Sequence, residues 1–394
     1  KQLTPSMKKL SQSIGQPMKL CLVFTHGVSV KTWSETGMMA REIKPYQELA
    51  RLGVAEVSFL TYGGQEDIAF QAILDPIKIL PAFAGHQPPK SQIRQLFGGV
   101  WALFRHRAHL RKCKIFKSNQ MVGSHVAWLA AKFFQGKFLL RTGYEFYDFA
   151  KRRRSGNTKV FIAWLISYFG YSKAAHIVVA TKSDAVIATE VFGAPANRVS
   201  IQPNWIETEH FAPSLIAPIK GRDFLTISRL DPQKNLAAVI QAANQTNASL
   251  DVLGSGPMLD ELQTLATKLG ARVNFLAPVP NDQLPTIIRR YQGFLLCSHF
   301  EGNPKALLEA MSCGVPVIGT KVPGIENLIK NGATGFLCDK DTDSIAKAMR
   351  TLLDNPEQAK LLGQKARETI IRENNFANFV LQEQKRLYYL CSNN

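Results

Sequence analysis

The sequence predicts an α/β protein built from two Rossmann-like, doubly wound domains that face each other across a cleft. Short apolar strands alternate with helical segments along the chain, and glycine often stands where a strand ends. This order is typical of parallel sheets that are covered by helices on both faces. The chain has 394 residues, more than a single hydrophobic core usually contains. We therefore expect two domains.

The first domain begins with an apolar strand over residues 18–24, which ends just before His26. Residues 35–52 have helical periodicity, with Gly37 near the start. Further strands are predicted at residues 54–60, 114–117, 137–140 and 176–180. Within residues 70–113, proline, glycine and basic residues interrupt every pattern, so the sequence predicts no element boundaries there.

The same pattern repeats in the second half of the chain. Strands are predicted at residues 223–228, 249–253, 272–276, 293–297 and 315–318. Helices are predicted at about residues 234–247, 257–269, 282–291 and 304–313. A proline-containing connector over residues 203–213 separates the two halves. We place the first domain at residues 1–205 and the second at 206–374, and we expect residues 375–394 to form a helix that packs back on the first domain.

The net charge of +18 is concentrated in the first half of the chain. Residues 1–206 contain 28 Lys and Arg against 11 Asp and Glu, whereas the remaining residues are nearly neutral. A basic half of this kind is expected to bind a polyanion, either an anionic membrane surface or a charged acceptor. The basic run 151–154, which precedes an aromatic-rich run at 159–171, fits an anionic bilayer surface and an ordinary core helix with a solvated basic loop equally well. No base-reading module is recognisable, so nucleic acid is not an expected partner.

The sequence also predicts the cellular compartment. The six cysteines form no CxxC pair and no metal-binding spacing, and several lie in apolar runs, which indicates a reducing environment. Residues 1–17 are polar and contain no apolar signal-peptide core. The longest apolar-aromatic run, residues 160–169, is much shorter than the ~20 residues of a membrane-spanning helix. We expect a cytoplasmic protein that binds peripherally to the inner face of the membrane.

Residues 298–309 carry the strongest functional signal. They read Ser-His-Phe-Glu-Gly-Asn-Pro-Lys-Ala-Leu-Leu-Glu, after an apolar strand and before a helix that stops at Gly314. Pro304 suits the first position of that helix, because its missing N–H has no helical partner there. The free N–H groups at a helix N-terminus bind anions. Two carboxylates, Glu301 and Glu309, beside an anion site predict a ligand that carries phosphate and sugar hydroxyls.

Two further strand-to-helix turns fit the same ligand. Arg229 and Lys234 are five residues apart across a proline turn, so both side chains are expected to converge on the strand end and neutralise a diphosphate. By itself this segment is an ordinary basic loop, and the phosphate interpretation depends on residues 298–309. The Gly254-Ser-Gly256 turn is weaker evidence, since the same glycines are needed simply to form the turn.

The motifs Ser-Arg-Leu-x-x-x-Lys-Asn, Gly-x-Gly-Pro, Glu-Gly-Asn-Pro-Lys-(x3)-Glu and Gly-Val-Pro-Val-Ile follow one another in this order. Together they resemble the C-terminal domain of retaining glycosyltransferases of family 4, which belong to the glycosyl transferases group 1 and have the GT-B fold. The resemblance is strong over roughly residues 200–394. Over residues 18–200 only the order of the elements is similar.

The resemblance implies a role for each matching residue. Arg229 and Lys234 would bind the donor diphosphate, Glu309 would hold the nucleotide ribose, and Glu301 would lie at the transferred sugar. With Arg229 and Lys234, Glu301 forms the expected catalytic set. Donor contacts are also expected from Gly37, Gly254, Gly302, Asn303, Pro304 and Lys305.

One position differs from the family pattern. Many members carry a histidine at the tip of the fourth strand of the first domain, where this chain has Asn119 and Gln120. His125 is expected about two turns along the following helix, as a structural histidine. The expected acceptor contacts come from side chains at strand tips, namely His26, Asn119, Gln120, Arg141 and Tyr144.

Asp339, Asp341 and Asp343 form overlapping Asp-x-Asp pairs, a pattern that can hold a divalent metal. A helical segment follows at once, so we interpret these carboxylates as helix caps. No metal and no other cofactor is expected, because Arg229 and Lys234 supply the positive charge that a metal would bring.

We therefore expect a retaining hexosyltransferase-like enzyme that moves a sugar from a nucleotide-sugar to a glycan or lipid-linked acceptor in polysaccharide or glycoconjugate synthesis. A nucleotide-sugar epimerase or a phosphorylase on the same fold is an alternative enzyme. A non-catalytic protein that binds a polyanion or a membrane is the alternative from another class.

Overall fold

A computed structural model describes residues 17–153, 155–214 and 223–392, without the side chains of residues 92 and 93. Residues 1–16, which belong to the polar segment where no signal peptide was expected, lie outside these ranges. Arg154 of the basic run also lies outside them. The chain divides into two units. The first contains residues 1–202 and 377–394, and the second contains residues 203–376.

Seven parallel strands form the sheet of the first unit, in the order β3-β2-β1-β4-β5-β6-β7. They are Met18–Val23 (β1), Ala55–Thr61 (β2), Lys78–Pro81 (β3), Ile115–Ser118 (β4), Lys137–Arg141 (β5), His176–Val179 (β6) and Val199–Ile201 (β7). In the centre, Leu20 of β1 pairs with Val57 of β2 and Ile115 of β4. Strands β2 and β3 are added on one side of β1, and β4 to β7 are added on the other side. The topological switch point therefore lies between β1 and β4.

Helices cover this sheet. They are Val30–Glu35 (α1), Met39–Arg51 (α2), Gln65–Ile68 (α3), Gln71–Leu74 (α4), Gln92–Arg105 (α5), Arg107–Leu110 (α6), Ser124–Phe133 (α7), Phe146–Arg152 (α8), Asn157–Lys173 (α9) and Lys182–Val186 (α10). The strands read as apolar runs because both faces of a parallel sheet are buried. Leu20, Leu22, Phe116 and Leu139, for example, have no solvent-accessible surface.

The second unit has a six-stranded parallel sheet in the order β10-β9-β8-β11-β12-β13. Its strands are Phe224–Ile227 (β8), Leu250–Leu253 (β9), Val273–Leu276 (β10), Gly293–Leu296 (β11), Val317–Thr320 (β12) and Phe336–Cys338 (β13). Its helices are Leu236–Gln245 (α11), Leu259–Leu269 (α12), Leu284–Ile288 (α13), Lys305–Ser312 (α14), Pro323–Glu326 (α15), Thr342–Asp354 (α16) and Pro356–Glu373 (α17). Here the switch point lies between β8 and β11. The last helix, α18 (Phe376–Ser392), lies with the first unit from Ala377 onward.

The structure confirms the predicted fold class, since both sheets are parallel and doubly wound. It corrects the helix that was predicted over residues 35–52. The helix begins at Met39 instead, because α1 ends at Glu35 and Gly37 lies between α1 and α2 with φ +67°. The left-handed backbone at Gly37 ends α1, and the Gly37 N–H donates to the Ser34 carbonyl.

Three strands were not predicted: β3, β7 and β13. Each has only three or four residues, too few to produce a recognisable alternation, and each lies at the edge of its sheet. All six cysteines are free thiols. Within the described ranges, every helix is too short or too polar to span a lipid bilayer.

Candidate functional site

Lys234 and Glu301 form an ion pair at the carboxyl ends of two neighbouring strands. Lys234 follows β8 and Glu301 follows β11, and these strands flank the switch point of the second sheet. The Lys234 Nζ lies 2.6 Å from Glu301 Oε1, and only 12% and 7% of the two side chains are exposed. The Ser298 hydroxyl donates to the same carboxylate oxygen at 2.6 Å. The predicted proximity of these two residues is thus present in the structure.

Gln233 holds the loop that carries Glu301. Its carbonyl accepts from the His299 N–H at 2.8 Å, and its side-chain amide donates to the Phe300 carbonyl at 2.9 Å. The Gln233 side chain is buried, so these bonds are shielded from water. The sequence analysis missed Gln233. Its position directly before Lys234 was the available signal.

Gly324 supports the same loop from the adjacent α15. A Cβ at Gly324 would lie 2.2 Å from the Gly302 carbonyl oxygen and 2.5 Å from the Glu301 carbonyl oxygen. Only glycine therefore allows this close approach. The Thr320 hydroxyl donates to the Ser298 carbonyl at 2.6 Å and fixes the start of the loop. Neither residue was predicted, because both are distant in sequence from the motif that they support.

Arg229 forms an ion pair with a carboxylate of its own loop. Its guanidinium lies 2.8 Å from the Asp231 carboxylate, and 63% of its side chain is exposed. The convergence of Arg229 and Lys234 on a bound diphosphate stays a prediction. The Ser228 hydroxyl and Asp231 Oδ1 are buried nearby without a hydrogen-bond partner in the described structure.

Gly254 makes a tight turn after β9. Its φ is +156°, and a Cβ there would lie 1.8 Å from the Ser228 carbonyl oxygen. At Gly256 a Cβ would lie 2.4 Å from the Leu230 carbonyl oxygen. Both glycines thus allow the turn to pack on the backbone of the Arg229 loop, which is the structural interpretation given to them above.

The helix after Glu301 begins one residue later than predicted. Pro304 has an extended backbone and is the N-cap, and Lys305 is the first residue of α14. Asn303 is held by Asn204, whose backbone N–H donates to the Asn303 side chain and whose side-chain amide donates to the Asn303 carbonyl, both at 2.8 Å. The Lys305 ammonium lies 4.7 Å from the centre of the Trp205 ring. These contacts fix the start of α14.

Glu309 lies within α14 and only 3% of it is exposed. The Asn281 side chain donates to Glu309 Oε1 at 2.9 Å. A buried carboxylate is costly unless it accepts hydrogen bonds, so this contact orients Glu309 as well as satisfying it. Asn281 is a further residue that the sequence analysis missed, because it lies on a separate loop.

The acceptor candidates of the first unit lie at the ends of three strands. His26 follows β1, while Asn119 and Gln120 follow β4, so these three flank the switch point of the first sheet. The Gln120 side chain accepts from the Gly143 N–H at 2.9 Å. Arg141 ends β5, and the Tyr144 ring lies 4.6 Å from that of Phe149.

Gly37 lies between α1 and α2. No atom lies within 4 Å of the position that a Cβ would occupy there, so the backbone is open on that side. The Gly37 N–H, however, already donates to the Ser34 carbonyl.

His125 lies nearer the β1 and β4 strand tips than predicted. Helix α7 begins at Ser124, so His125 is in its first turn rather than two turns along it. The pKa of His125 is lowered to about 4, mainly by burial and to a smaller extent by the nearby His26. The imidazole of His125 is therefore neutral at physiological pH.

Tyr144 also lines a cavity of about 300 Å³ between α8 and α9. Most of the lining is apolar, with Phe146, Phe149 and Ile162 among the contributing residues, and Arg153 and Lys159 add two cations. A cavity of this size accepts a small organic group.

The Asp-x-Asp segment caps a helix, as predicted. Asp341 is the N-cap of α16 and accepts from the Ser344 N–H at 2.8 Å, while Asp343 lies in the first turn. Asp339 faces away from this cap, with the Lys321 ammonium 3.2 Å from its carboxylate. Over the described parts of the chain, no three or more His, Cys, Asp or Glu residues are grouped as metal ligands.

Residues 208–369, which include Arg229, Lys234, Glu301 and Glu309, match the family model described as glycosyl transferases group 1. These residues form a glycosyl transferases group 1 domain. The chain is 32% identical over 168 residues to N-acetyl-alpha-D-glucosaminyl L-malate synthase of Bacillus anthracis, covering 41% of this chain and 44% of that protein. It is 27% identical to the UDP-Gal:alpha-D-GlcNAc-diphosphoundecaprenol alpha-1,3-galactosyltransferase of Escherichia coli, covering 53% and 58%. The chain thus spans about half the length of these relatives.

Solved structures extend the similarity of the fold beyond the glycosyl transferases group 1 domain. A sucrose-phosphate synthase from Thermosynechococcus elongatus superposes with a TM-score of 0.77 at 18% identity, covering 96% of this chain and all of that one. HepE of Anabaena in complex with UDP and glucose gives a TM-score of 0.73 at 17% identity, covering 94% and 100%. With the two parallel sheets described above, these similarities identify the GT-B fold.

Proposed function

We propose that this protein is a retaining glycosyltransferase of the family 4 type, whose glycosyl transferases group 1 domain binds a nucleotide-sugar. The observation that carries the proposal is the Lys234–Glu301 ion pair at the switch point of the second sheet. Ligands of doubly wound sheets bind outside the carboxyl ends of the strands at this point. The match of residues 208–369 to the family model supports the same function.

The chemistry requires that a nucleoside diphosphate leaves the donor sugar. Negative charge then develops on the departing phosphate, and the ammonium of Lys234 and the N–H groups at the N-terminus of α14 stabilise it. Arg229 is exposed and paired with Asp231, and we propose that it turns towards the diphosphate when the donor binds. The buried hydroxyl of Ser228 is an additional donor on the same loop.

Glu301 and Glu309 have different tasks in this proposal. Glu301 lies beside the cation that binds the diphosphate, where the transferred sugar is attached, and it stabilises the positive charge of an oxocarbenium-like centre. Glu309, held by Asn281, accepts hydrogen bonds from the ribose hydroxyls. The acceptor hydroxyl attacks from the face that the diphosphate leaves, and the departing phosphate oxygen takes its proton. Retention at the anomeric carbon follows.

We propose that catalysis needs no metal. The cations Lys234 and Arg229, with the N–H groups of α14, provide the charge stabilisation that a divalent ion would otherwise provide. Of the aspartates considered as metal ligands, Asp341 is occupied as a helix cap.

The acceptor is proposed to be a glycan or a lipid-linked precursor that binds to the first unit. His26, Asn119 and Gln120 flank the switch point of its sheet, and Tyr144 lines the cavity between α8 and α9. The name of the Escherichia coli relative specifies a diphosphoundecaprenol acceptor, which is both anionic and lipid-linked. An acceptor of this kind fits the basic first half and a peripheral location on the inner face of the membrane.

Nucleotide binding tests the donor assignment. Isothermal titration with UDP, GDP and ADP is expected to show binding of one of them to the wild-type protein and at least tenfold weaker binding to Lys234→Ala. Lys268→Ala, an exposed lysine on α12, is the control and should bind normally. Circular dichroism checks that each variant is folded. Equal affinity of Lys234→Ala and the wild type would contradict the proposal.

Turnover tests the reaction. The protein is incubated with a membrane extract and with nucleotide-sugars that carry the nucleotide found to bind. We expect release of the nucleoside diphosphate and a product whose anomeric configuration, determined by NMR, equals that of the donor. Interconversion of the donor sugar without release of nucleotide would instead indicate an epimerase. Inversion at the anomeric carbon would refute the retaining mechanism.

A further inference from the structure

Three helices lie side by side on one face of the first unit's sheet. Helix α7 packs on β4 and β5 and contacts α5 on one side and α9 on the other. The three connections β3-α5-β4, β4-α7-β5 and β5-α9-β6 advance across the sheet in the same direction. Right-handed crossovers that advance in one direction place their helices on the same face.

The outer side of this layer is apolar on α5 and α7. Phe97, Trp101 and Phe104 are 68%, 62% and 52% exposed, and their spacing of four and three residues places them on one stripe of α5. Phe133 at the end of α7 is 51% exposed. The rings of Trp101 and Phe104 lie 6.1 Å apart, and those of Phe104 and Phe133 lie 6.0 Å apart. The stripe therefore continues from one helix to the next.

Helix α9 presents a second apolar stripe on the same layer. Phe161, Ile162, Leu165 and Tyr168 are each between 44% and 58% exposed. The opposite side of α9 contributes Ala163 and other small residues to the interior, so the helix is apolar nearly all round. We call the eight exposed residues the aromatic face; they are Phe97, Trp101, Phe104, Phe133, Phe161, Ile162, Leu165 and Tyr168. An exposed apolar surface of this extent is typical of an interaction site.

The charges around the aromatic face are almost all positive. Residues 76–183, which contain all three helices, have 19 Lys and Arg against two acidic residues, Glu145 and Asp148. Glu145 is fully buried and accepts from the Ser167 hydroxyl, and Asp148 forms an ion pair with Arg152. Neither acidic residue offsets the positive charge of the surface. The exposed cations near the ends of the three helices include Arg94, Arg105, Arg107, Lys132, Lys159 and Lys173.

We propose that the aromatic face inserts into the interfacial region of an anionic lipid bilayer, with the surrounding Lys and Arg side chains bound to lipid headgroups. Apolar side chains that enter the acyl boundary and cations that bind anionic headgroups are the two components of such binding. A second copy of the chain fits less well, because a symmetric dimer through this face would bring two strongly basic surfaces together. This inference rests on the peripheral membrane location in the proposed function and specifies the surface that binds the membrane. It does not depend on which nucleotide-sugar is the donor.

Vesicle co-sedimentation tests the proposal. The wild-type protein is expected to sediment with vesicles of 70% phosphatidylcholine and 30% phosphatidylglycerol, and to remain in solution with pure phosphatidylcholine. The variant Phe97→Ser/Trp101→Ser/Phe104→Ser should bind the anionic vesicles at least tenfold more weakly. Because the substituted side chains are exposed, this variant should still fold, which circular dichroism checks.

A matched control separates the aromatic face from exposed apolar residues in general. Ile73→Ser/Leu361→Ser/Ile371→Ser replaces three side chains that are 54%, 49% and 41% exposed and lie on other helices. It should bind vesicles as the wild type does. Nucleotide affinity, measured without vesicles, should be unchanged in both triple variants, so failure of membrane binding is distinguishable from failure of the donor assignment.

Three outcomes would overturn the inference. The first is equal vesicle binding by wild type and the α5 variant. The second is a dimer in sedimentation velocity that the α5 variant converts to monomer without any effect of vesicles. The third is binding of a single-stranded RNA that the α5 variant loses while vesicle binding is absent from both proteins.

Discussion

Lys117 and Glu383 form an ion pair inside the first unit, although 266 residues separate them in the sequence. Lys117 is in β4 and Glu383 is on α18, and only 2% and 1% of their side chains are exposed. Arg386 donates to the second oxygen of Glu383 and, at 2.7 Å, to Gln202. Burial raises the pKa of Glu383, but the charges of Lys117 and Arg386 outweigh it and lower the pKa to about 2. This cluster attaches the last helix to the first sheet.

Glu383→Gln is expected to destabilise the first unit strongly. The substitution keeps the shape of the side chain but leaves the buried Lys117 without its counter-charge, which costs about 3–5 kcal/mol. Guanidinium denaturation followed by circular dichroism measures the loss. Gln382→Ala, on the exposed side of α18, is the control and should change stability by less than about 0.5 kcal/mol.

A double-mutant cycle with Lys117→Met separates the pair from its surroundings. The double variant should be more stable than the sum of the single losses predicts, by about 1–3 kcal/mol. Additive losses would show that the two side chains do not act as a pair.

His176 should make the first unit less stable in acid. Its pKa is lowered to about 4, first by burial and then by the charge of Arg386, whereas in the unfolded chain a histidine has a pKa of about 6.5. The unfolded state therefore binds the proton first, and this contribution lowers stability as the pH falls from about 6.5 to 4. In His176→Gln the loss between pH 7 and pH 4.5 should be smaller than in the wild type.

The exposed His86→Gln is the control for this titration and should retain the pH dependence of the wild type. Denaturation midpoints at four pH values are sufficient. An identical pH dependence in His176→Gln and the wild type would refute the assignment.

Gly324→Ala should displace the loop that carries Glu301. The new methyl group would meet the Gly302 and Glu301 carbonyl oxygens at 2.2 and 2.5 Å, so the backbone must move. We expect a loss of stability of about 1–3 kcal/mol and weaker nucleotide binding. Gly156→Ala is the matched substitution, since no atom lies within 4 Å of its Cβ position and its φ is not positive. Normal nucleotide affinity in Gly324→Ala would contradict this role.

Asn281→Ala should weaken nucleotide binding by about tenfold, the effect of one hydrogen bond to a charged group. The substitution removes the donor to Glu309 Oε1, and Glu309 then loses part of the orientation that we propose it needs to bind the ribose. Titration calorimetry measures the change. The neighbouring exposed residue provides a control, Asp282→Ala, which should bind as the wild type does. If both variants bind alike, Asn281 has no positioning role.

Glu301→Gln should lower kcat by about 100-fold or more while changing nucleotide affinity by less than about threefold. The amide can still bond to Ser298 and Lys234, so the loop is retained, but the negative charge that we propose stabilises the transferred sugar is gone. Steady-state kinetics and titration of the nucleoside diphosphate separate the two effects. A variant that loses affinity and turnover in equal proportion would assign Glu301 to binding alone.

The sequence predicted the strands that are buried at the centre of each sheet, because these carry continuous apolar runs that end in turn residues. It did not predict β3, β7 or β13, each of which is too short to show a pattern and is defined by pairing with a neighbour. It also could not show that the helix predicted from residue 35 begins only at Met39, after Gly37, since the left-handed backbone at Gly37 is a property of the folded turn.

The sequence by itself determined the doubly wound fold and the set of charged residues at the strand ends. Both follow from periodicity and motif spacing, which involve only residues that are close together in the sequence. The tertiary structure alone decided which of these residues meet. It joined Lys234 to Glu301, paired Arg229 with Asp231, placed Gln233 and Asn281 beside the site, and buried Lys117 against Glu383. Such contacts depend on the order of strands in a sheet and on packing between distant segments, and neither property is encoded in any short stretch of the chain.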